Sequence, residues 1–224
     1  YTSNKYLHYS KFSKYGTKLS VIPLTASVLS ESFLNQNFPK KNYFIFIGAF
    51  RKYKDLLTLL NAAISSDVEL IILGEGSNSN ALRRFVKERK SSKIKFLGQV
   101  SDEYKFKLLS EARALVLPSN NESEAFGVVL LEAATLGKPI ITANLQSGVT
   151  EVNEDGLNGI IFEKSNPISL KKALLKLATD DKLCDRLGHA NRNKYIKNYT
   201  RALFGKRYKS IYFDTMKSSY KYSK

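Results

Sequence analysis

The sequence predicts an α/β protein built on a single doubly wound parallel sheet, and two observations lead to that prediction. Short apolar runs, typical of strands, alternate along the chain with segments whose apolar residues recur at helical spacing. The runs are continuously apolar, as expected for parallel strands buried on both faces. In folds of this class, ligands bind beyond the carboxyl ends of the strands.

Six strands are predicted, and most of them stop at a residue that interrupts an extended segment, such as Gly48, Gly98 or Pro118. The predicted strands are Tyr43–Ile47, Val68–Leu73, Ile94–Leu97, Ala114–Leu117, Pro139–Thr142 and Gly159–Phe162.

Helices are predicted between these strands and after the last one. The helix at about residues 127–136 should end at Gly137, a natural position for the left-handed residue that follows a helix. Three further helices are predicted at about residues 167–178, 180–197 and 201–217, and the last eight residues should fray. Near the start, Tyr6, Tyr9 and Phe12 could form one face of a short helix.

The net charge of +16 favours partners that are polyanions, such as nucleic acid, anionic lipid head groups or diphosphates. The alternative is that the charge reflects solubility and a general basic composition. No zinc-ligand spacing or RNA-binding aromatic motif accompanies the basic residues, so no nucleic-acid partner is predicted.

Cysteine and histidine usage adds little chemistry. Cys184 is the single cysteine, which excludes an internal disulfide, and it is expected to act as a small apolar residue. His8 and His189 have no fitting partners, so no metal site is predicted. Without an apolar run of about 18 residues or a signal peptide, we expect a cytoplasmic protein.

The segment from Pro118 to Ala133 carries the clearest functional signal. A polar loop there follows a strand and leads into a helix, whose free amide groups and dipole favour an anion or sugar oxygens. Gly127 allows close approach to the backbone. Glu132 lies in an apolar helix, where an unpaired buried carboxylate is costly, so a ligand hydroxyl or a basic partner is expected. The alternative is that Glu132 faces water.

The spacing of Glu124 and Glu132 resembles the E-x7-E motif of retaining GT-B glycosyltransferases of family GT4. The similarity covers about residues 18–215. Its segments follow the family's order: Leu73–Gly76, Phe96–Asp102, Glu124–Gly127, Leu131–Ala133, Gly137–Pro139 and Gly156–Gly159.

This resemblance implies roles for individual residues. Glu124 would bind the donor sugar and Lys54 the diphosphate, and these two are the predicted catalytic residues. Glu132 would accept hydrogen bonds from the ribose, and Val100 would border the base, with Lys105 as a weaker candidate nearby. The other residues predicted to bind the donor are Gly48, Arg51, Gly74, Ala125, Phe126, Gly127 and Val128.

Two residues depart from the family pattern around Lys54. Ala49 stands where the family usually has arginine, and Asp55 where it usually has glycine. Arg51 could supply the missing charge, because a guanidinium suits phosphate. The alternative is that Arg51 and Lys52 are simply solvated.

The resemblance also implies an activity. A hexose would pass from a UDP- or GDP-sugar to a glycan or lipid-linked acceptor with retention of configuration, in bacterial surface polysaccharide synthesis. No cofactor and no metal would be needed, and the basic surface is compatible with contact to the anionic inner face of the cell membrane.

A GT-B enzyme has two Rossmann-like domains, and this chain has room for one. We therefore expect the C-terminal half. The start at Tyr1 rather than Met is compatible with a processed chain or a fragment, and the order of the motifs favours a fragment. The expected parts are a remnant of the acceptor domain (1–24), a linker (25–42), the Rossmann-like domain (43–198), and a C-terminal crossover helix with its tail (199–224).

Three alternatives stand beside this interpretation. The chain could be a non-catalytic donor-binding subunit that works with a separate acceptor domain. It could be a dinucleotide-dependent oxidoreductase, although Gly74-Glu75-Gly76 lacks the third glycine of that fingerprint. It could bind nucleic acid, which only the charge supports.

Overall fold

The computed structural model describes residues 1–9, 14, 19–27, 29–34 and 36–221, and it centres on a six-stranded parallel sheet. The strands are β1 Tyr43–Ile47, β2 Glu69–Leu73, β3 Ile94–Gly98, β4 Ala114–Leu117, β5 Ile140–Ala143 and β6 Gly159–Phe162. Their order is β3-β2-β1-β4-β5-β6, and every neighbouring pair is parallel. The predicted fold class is confirmed.

Helices connect and flank the strands. They are α1 Asn4–Tyr9, α2 Glu31–Leu34, α3 Leu56–Ser66, α4 Ser79–Glu88, α5 Asp102–Glu111, α6 Val128–Thr135, α7 Val149–Val152, α8 Pro167–Thr179, α9 Asp181–Asn198 and α10 Arg201–Lys221, with a 3₁₀ helix at Lys52–Lys54. Phe12, predicted on the face of a first helix, and residues 222–224 lie outside the described residues.

The sheet is covered on both faces, as a doubly wound fold requires. Because the strand order reverses between β1 and β4, right-handed crossovers place the helices after β1 and β4 on opposite faces. Accordingly, α3 packs against α8, whereas α6 packs against α9. Phe44, Ile45 and Leu115 in the two central strands are completely buried.

Part of the predicted linker at residues 25–42 is structured. The short helix α2 forms there, and the ring of Phe33 lies 4.9 Å from that of Phe38 and 6.3 Å from that of Phe106. Four residues are too few to show helical periodicity in the sequence, so pattern alone missed this helix.

The end of α6 follows the prediction for Gly137. Gly137 adopts a left-handed φ of 62°, and its amide donates to the carbonyl of Ala134 at 3.1 Å. The amide of Lys138 donates to the carbonyl of Ala133 at 3.0 Å, which completes a Schellman motif.

None of the described helices combines the length and the apolarity needed to cross a bilayer.

The backbones after β1 and β2 approach so closely that only glycine fits. A Cβ added to Gly74 would lie 2.1 Å from the carbonyl oxygen of Gly48, and Gly74 has a φ of 117°. The amide of Gly48 also donates to the carbonyl of Leu73 at 3.0 Å. These contacts fix the carboxyl edge of the sheet, where the functional loops begin.

Replacing Gly74 with alanine should lower the free energy of unfolding by about 3 kcal/mol, because the added methyl group collides with rigid backbone at a strained φ. Urea denaturation measures this loss. Gly205→Ala is the control: nothing lies within 4 Å of that position in α10, and a helical alanine should add about 0.5–1 kcal/mol. Equal effects of the two substitutions would contradict the close approach.

Candidate functional site

The loops that follow β1 and β4 meet at the point where the strand order reverses, which is the usual ligand crevice of a doubly wound sheet. A backbone hydrogen bond joins these loops: the amide of Asn120 donates to the carbonyl of Tyr53 at 2.8 Å. The 3₁₀ helix after β1 and the polar loop after β4 are therefore held side by side.

Lys54 and Glu124 form a buried ion pair in this crevice. The ammonium group of Lys54 donates to Oε2 of Glu124, and the two residues are 9% and 8% exposed. The hydroxyl of Ser119 donates to the same oxygen at 2.8 Å. Two donors thus fix one carboxylate oxygen of Glu124, and the two predicted catalytic residues are in contact.

The pair leaves hydrogen-bonding capacity unused. Oε1 of Glu124 accepts no hydrogen bond from the described residues, whereas an ammonium group offers three donors, of which Lys54 gives one to Glu124. Gly48 adds room beside them, since a Cβ there would lie 3.8 Å from Nζ of Lys54. The site can therefore accept a hydroxyl donor and an anionic acceptor at adjacent atoms.

Glu132 forms a second ion pair, on α6. Nζ of Lys105 donates to Oε1 of Glu132 at 3.1 Å and lies 3.0 Å from Oδ1 of Asp102. Glu132 is 8% exposed, so the alternative that it faces water is wrong, and Lys105 provides a basic partner of the kind that was expected. Its other oxygen, Oε2, accepts no hydrogen bond within the described part of the chain.

The charges of this second pair respond to burial and to each other. Burial raises the pKa of Glu132, and the nearby Lys105 charge opposes that rise. For Lys105, burial alone would lower the pKa, but hydrogen bonding to Asp102 and the charge of Glu132 outweigh it and raise the pKa. Lys105 therefore stays protonated, which favours the carboxylate form of Glu132.

The start of α6 offers free amide groups next to Glu124. Gly127 precedes the helix with a left-handed φ of 75°, and no side chain caps the helix. Phe126 is buried with its ring 6.0 Å from that of Tyr199, and the carbonyl of Ala125 accepts from the amide of Gly148 at 2.8 Å. Val128, the first helical residue, is exposed. The helix N-terminus is thus held in place, and no side chain accepts from its first amide groups.

The other predicted donor-binding residues have different positions. Gly74 lies against Gly48 at the same sheet edge, and Val100 is partly buried against the core. Arg51 is exposed and lines a cavity beside α4, and among the described residues its guanidinium forms no ion pair with Glu124. The structure therefore brings Gly48, Lys54 and Glu124 together and keeps Glu132 in its own pair.

Sequence reasoning gave Ser119 no role, although its position two residues after β4 puts it in the crevice loop. The departure at Asp55 also has a structural explanation. Asp55 adopts a left-handed φ of 46°, which aspartate tolerates, and its Oδ2 accepts from the hydroxyl of Ser165 at 2.8 Å. Asp55 thus adopts a left-handed backbone conformation, which glycine also favours, and its side chain adds a hydrogen bond to Ser165.

Among the described residues, no group of three or more histidine, cysteine, aspartate or glutamate side chains could hold a metal ion.

Lys54→Met and Glu124→Gln should each lower the free energy of unfolding by about 3 kcal/mol, because each leaves a buried polar partner unpaired. The double variant should lose less than the sum of the two. The exposed pair Lys93–Asp67 is the control, and Lys93→Met should cost less than about 1 kcal/mol. Strict additivity in urea denaturation of Lys54 and Glu124 variants would contradict the coupling.

Comparisons with known proteins place this geometry in a family. Residues 30–194 match the family described as Glycosyl transferases group 1. The chain is 34% identical over 159 residues to the O-antigen chain mannosyltransferase C of Escherichia coli. That match covers 71% of this chain and 43% of the relative, so the chain spans less than half of the curated relative it matches.

Solved structures share the fold. A TarM variant from S. aureus, in complex with fondaparinux, alpha-GlcNAc-glycerol and UDP, superimposes with a TM-score of 0.74 at 18% identity, over 85% of this chain and 38% of that one. The isolated C-terminal domain of a glycosyl transferase group 1 protein, LpcC of Francisella tularensis, gives 0.62 at 22% identity, over 80% of this chain and 97% of that one. The chain belongs to the group 1 glycosyltransferases, family GT4, and has the fold of the C-terminal half of a GT-B enzyme.

Proposed function

We propose that this chain is the nucleotide-sugar-binding half of a retaining hexosyltransferase. The observation that carries the proposal is the buried Lys54–Glu124 pair at the strand-order reversal, where Glu124 lies four residues before the uncapped start of α6. A cation, a carboxylate oxygen and free helix amides converge there, and these groups suit the diphosphate and the hydroxyls of a nucleotide sugar.

Each of these groups has a role at a particular stage of the reaction. Breaking the bond between the sugar and the diphosphate leaves negative charge on the phosphate and an oxocarbenium-like sugar. Lys54 and the first amides of α6 stabilise the departing phosphate. The proposed reaction therefore needs no metal ion or cofactor for this step. Oε1 of Glu124 accepts a hydroxyl of the donor sugar, which positions its reacting carbon.

Glu132 accepts a hydrogen bond from a ribose hydroxyl of the nucleotide. Lys105 fixes one of its oxygens, and the second is available to a ribose hydroxyl. Because the residue is buried, that hydroxyl hydrogen bond would form away from bulk water. Val100 and Gly74 lie in the loops that follow the neighbouring strands β3 and β2, and they border the rest of the nucleotide.

The relatives suggest the substrate class. The E. coli relative is named as an O-antigen chain mannosyltransferase, and the TarM structure holds UDP. For this chain we propose a UDP- or GDP-hexose as donor and a glycan or lipid-linked acceptor of bacterial surface polysaccharide synthesis. The net charge of +16 fits such an acceptor at the anionic inner surface of the cell membrane.

We propose that a second domain, in the same or another chain, supplies the acceptor site. Residues 1–24 would be a remnant of that domain, joined by the linker at 25–42 to the Rossmann-like domain at 43–198. Residues 199–224 would form the crossover helix and tail that contact it. The helix α10 supports this arrangement, because it exposes large apolar side chains that a partner could cover: Tyr208, Tyr212, Phe213 and Met216.

Thermal denaturation with UDP-, GDP- and ADP-sugars should show stabilisation by one nucleotide class, since a ligand of the folded state shifts unfolding by mass action. Glu124→Gln and Glu132→Gln should each weaken that binding about tenfold or more. Glu103→Gln is the control, because it removes the same charge at an exposed position on α5. If all three variants bind like the parent, or no sugar nucleotide binds, the proposed donor site is wrong.

The chain alone should transfer no sugar, because the acceptor side of the catalytic crevice is contributed by the second domain. The measurement is release of nucleoside diphosphate from a bound donor with a lipid-linked acceptor present. Stabilisation of the same chain by a sugar nucleotide in thermal denaturation is the control that it is folded. Turnover by the purified chain would show that no second domain is needed.

A further inference from the structure

A second cavity, here called the amino-edge cavity, lies at the opposite end of the sheet from the Lys54–Glu124 pair. Its volume is about 590 Å³, within the usual range for small-molecule sites. The residues just before β1, β4 and β5 form one wall, and α9 forms the other. Its charged lining residues are Lys40, Lys41, Arg113, Lys138, Asp181, Asp185 and Arg192.

Three of the five cations in this lining are neutralised. Lys40 pairs with Asp185 at 2.6 Å, Lys41 pairs with Glu111 at 2.6 Å, and Arg113 pairs with Asp181. Lys138 and Arg192 form no ion pair with any residue that the structure describes. The cavity therefore carries two uncompensated positive charges.

Lys138 is the unusual member, because the residue is largely buried and its ammonium group forms no ion pair with the described residues. The residue is 9% exposed, and its Nζ donates to no described residue. Burial, followed by the charge of Lys40, lowers the pKa of Lys138 to about 8. Arg113 adds a buried Nη2 that also lacks an acceptor within the described ranges. A buried donor without an acceptor, such as Nη2 of Arg113, is unfavourable in the folded protein.

The local backbone holds Lys138 in this position. Its amide closes the Schellman motif after α6, and its carbonyl accepts from Nδ2 of Asn191 at 2.8 Å. α9 packs so tightly here that a Cβ on Gly188 would lie 2.1 Å from the carbonyl oxygen of Gly137. Arg192, one turn further along α9, donates to the carbonyl of Thr135 and runs beside Gly137.

We propose that the amino-edge cavity binds a phosphate dianion, free or as a small phosphate monoester, through Lys138 and Arg192. Two unpaired cations match the charge of close to −2 that a phosphate monoester carries near neutral pH. The cavity exceeds the size of phosphate alone, so a phosphorylated sugar also fits. This binding site is separate from the proposed donor site and does not depend on it.

The test is calorimetric titration with inorganic phosphate and, separately, with glucose 6-phosphate. The parent chain should bind one or both. Lys138→Met and Arg192→Gln should weaken binding about tenfold or more, through loss of a charged hydrogen bond. Lys172→Met removes one positive charge at an exposed position on α8 and should leave phosphate binding unchanged. Tighter binding of the sugar phosphate identifies an organic ligand, and equal binding identifies phosphate alone as sufficient.

Stability and pH give independent readouts. Without phosphate, Lys138→Met should keep or raise the melting temperature, because it removes a buried unpaired charge. The affinity advantage of the parent over this variant should shrink as pH rises from 7 to 9.5, because Lys138 loses its proton near pH 8. Lys40, Glu111, Cys184 and Asp185, which act on Lys138, are present in both proteins. No phosphate binding, or equal binding by parent and Lys138→Met, would overturn the proposal.

Discussion

The pairing of β1 with β4 is the constraint on which the rest of the structure depends. Phe44 lies opposite Ala114 and Ile45 opposite Leu115, although β2 and β3 intervene in the chain. This one parallel contact reverses the strand order and brings the loop carrying Lys54 against the loop carrying Glu124. Without it, the two charges would be separate, and neither could be buried at acceptable cost.

The buried lysines at the two edges of the sheet differ in whether they form an ion pair. At the carboxyl edge, Glu124 and Lys54 compensate each other, and the ion pair is stable before any ligand arrives. At the amino edge, Lys138 is largely buried and forms no ion pair with the described residues, although the charges of Lys40, Asp185 and Glu111 act on it. A ligand at the first edge would therefore use the remaining hydrogen-bonding capacity of an existing pair, whereas an anion at the second would give Lys138 a direct partner.

The sequence predicted the sheet, its strands and Gly137 well, because continuous apolar runs and left-handed glycines are local signals. It could not predict that Lys105 pairs with Glu132 or that Ser119 donates to Glu124, because those contacts depend on how crossovers place separate segments.

The two departures from the family pattern have unequal consequences. Asp55 adopts a left-handed backbone conformation, which glycine also favours, and it accepts a hydrogen bond from Ser165. Ala49 lacks the cation that the family usually has, and the guanidinium of Arg51 forms no ion pair with Glu124 among the described residues. On the proposed function, Lys54 and the free amides of α6 then carry the diphosphate charge largely by themselves. Donor affinity should consequently depend more on the helix N-terminus than it would with an arginine present.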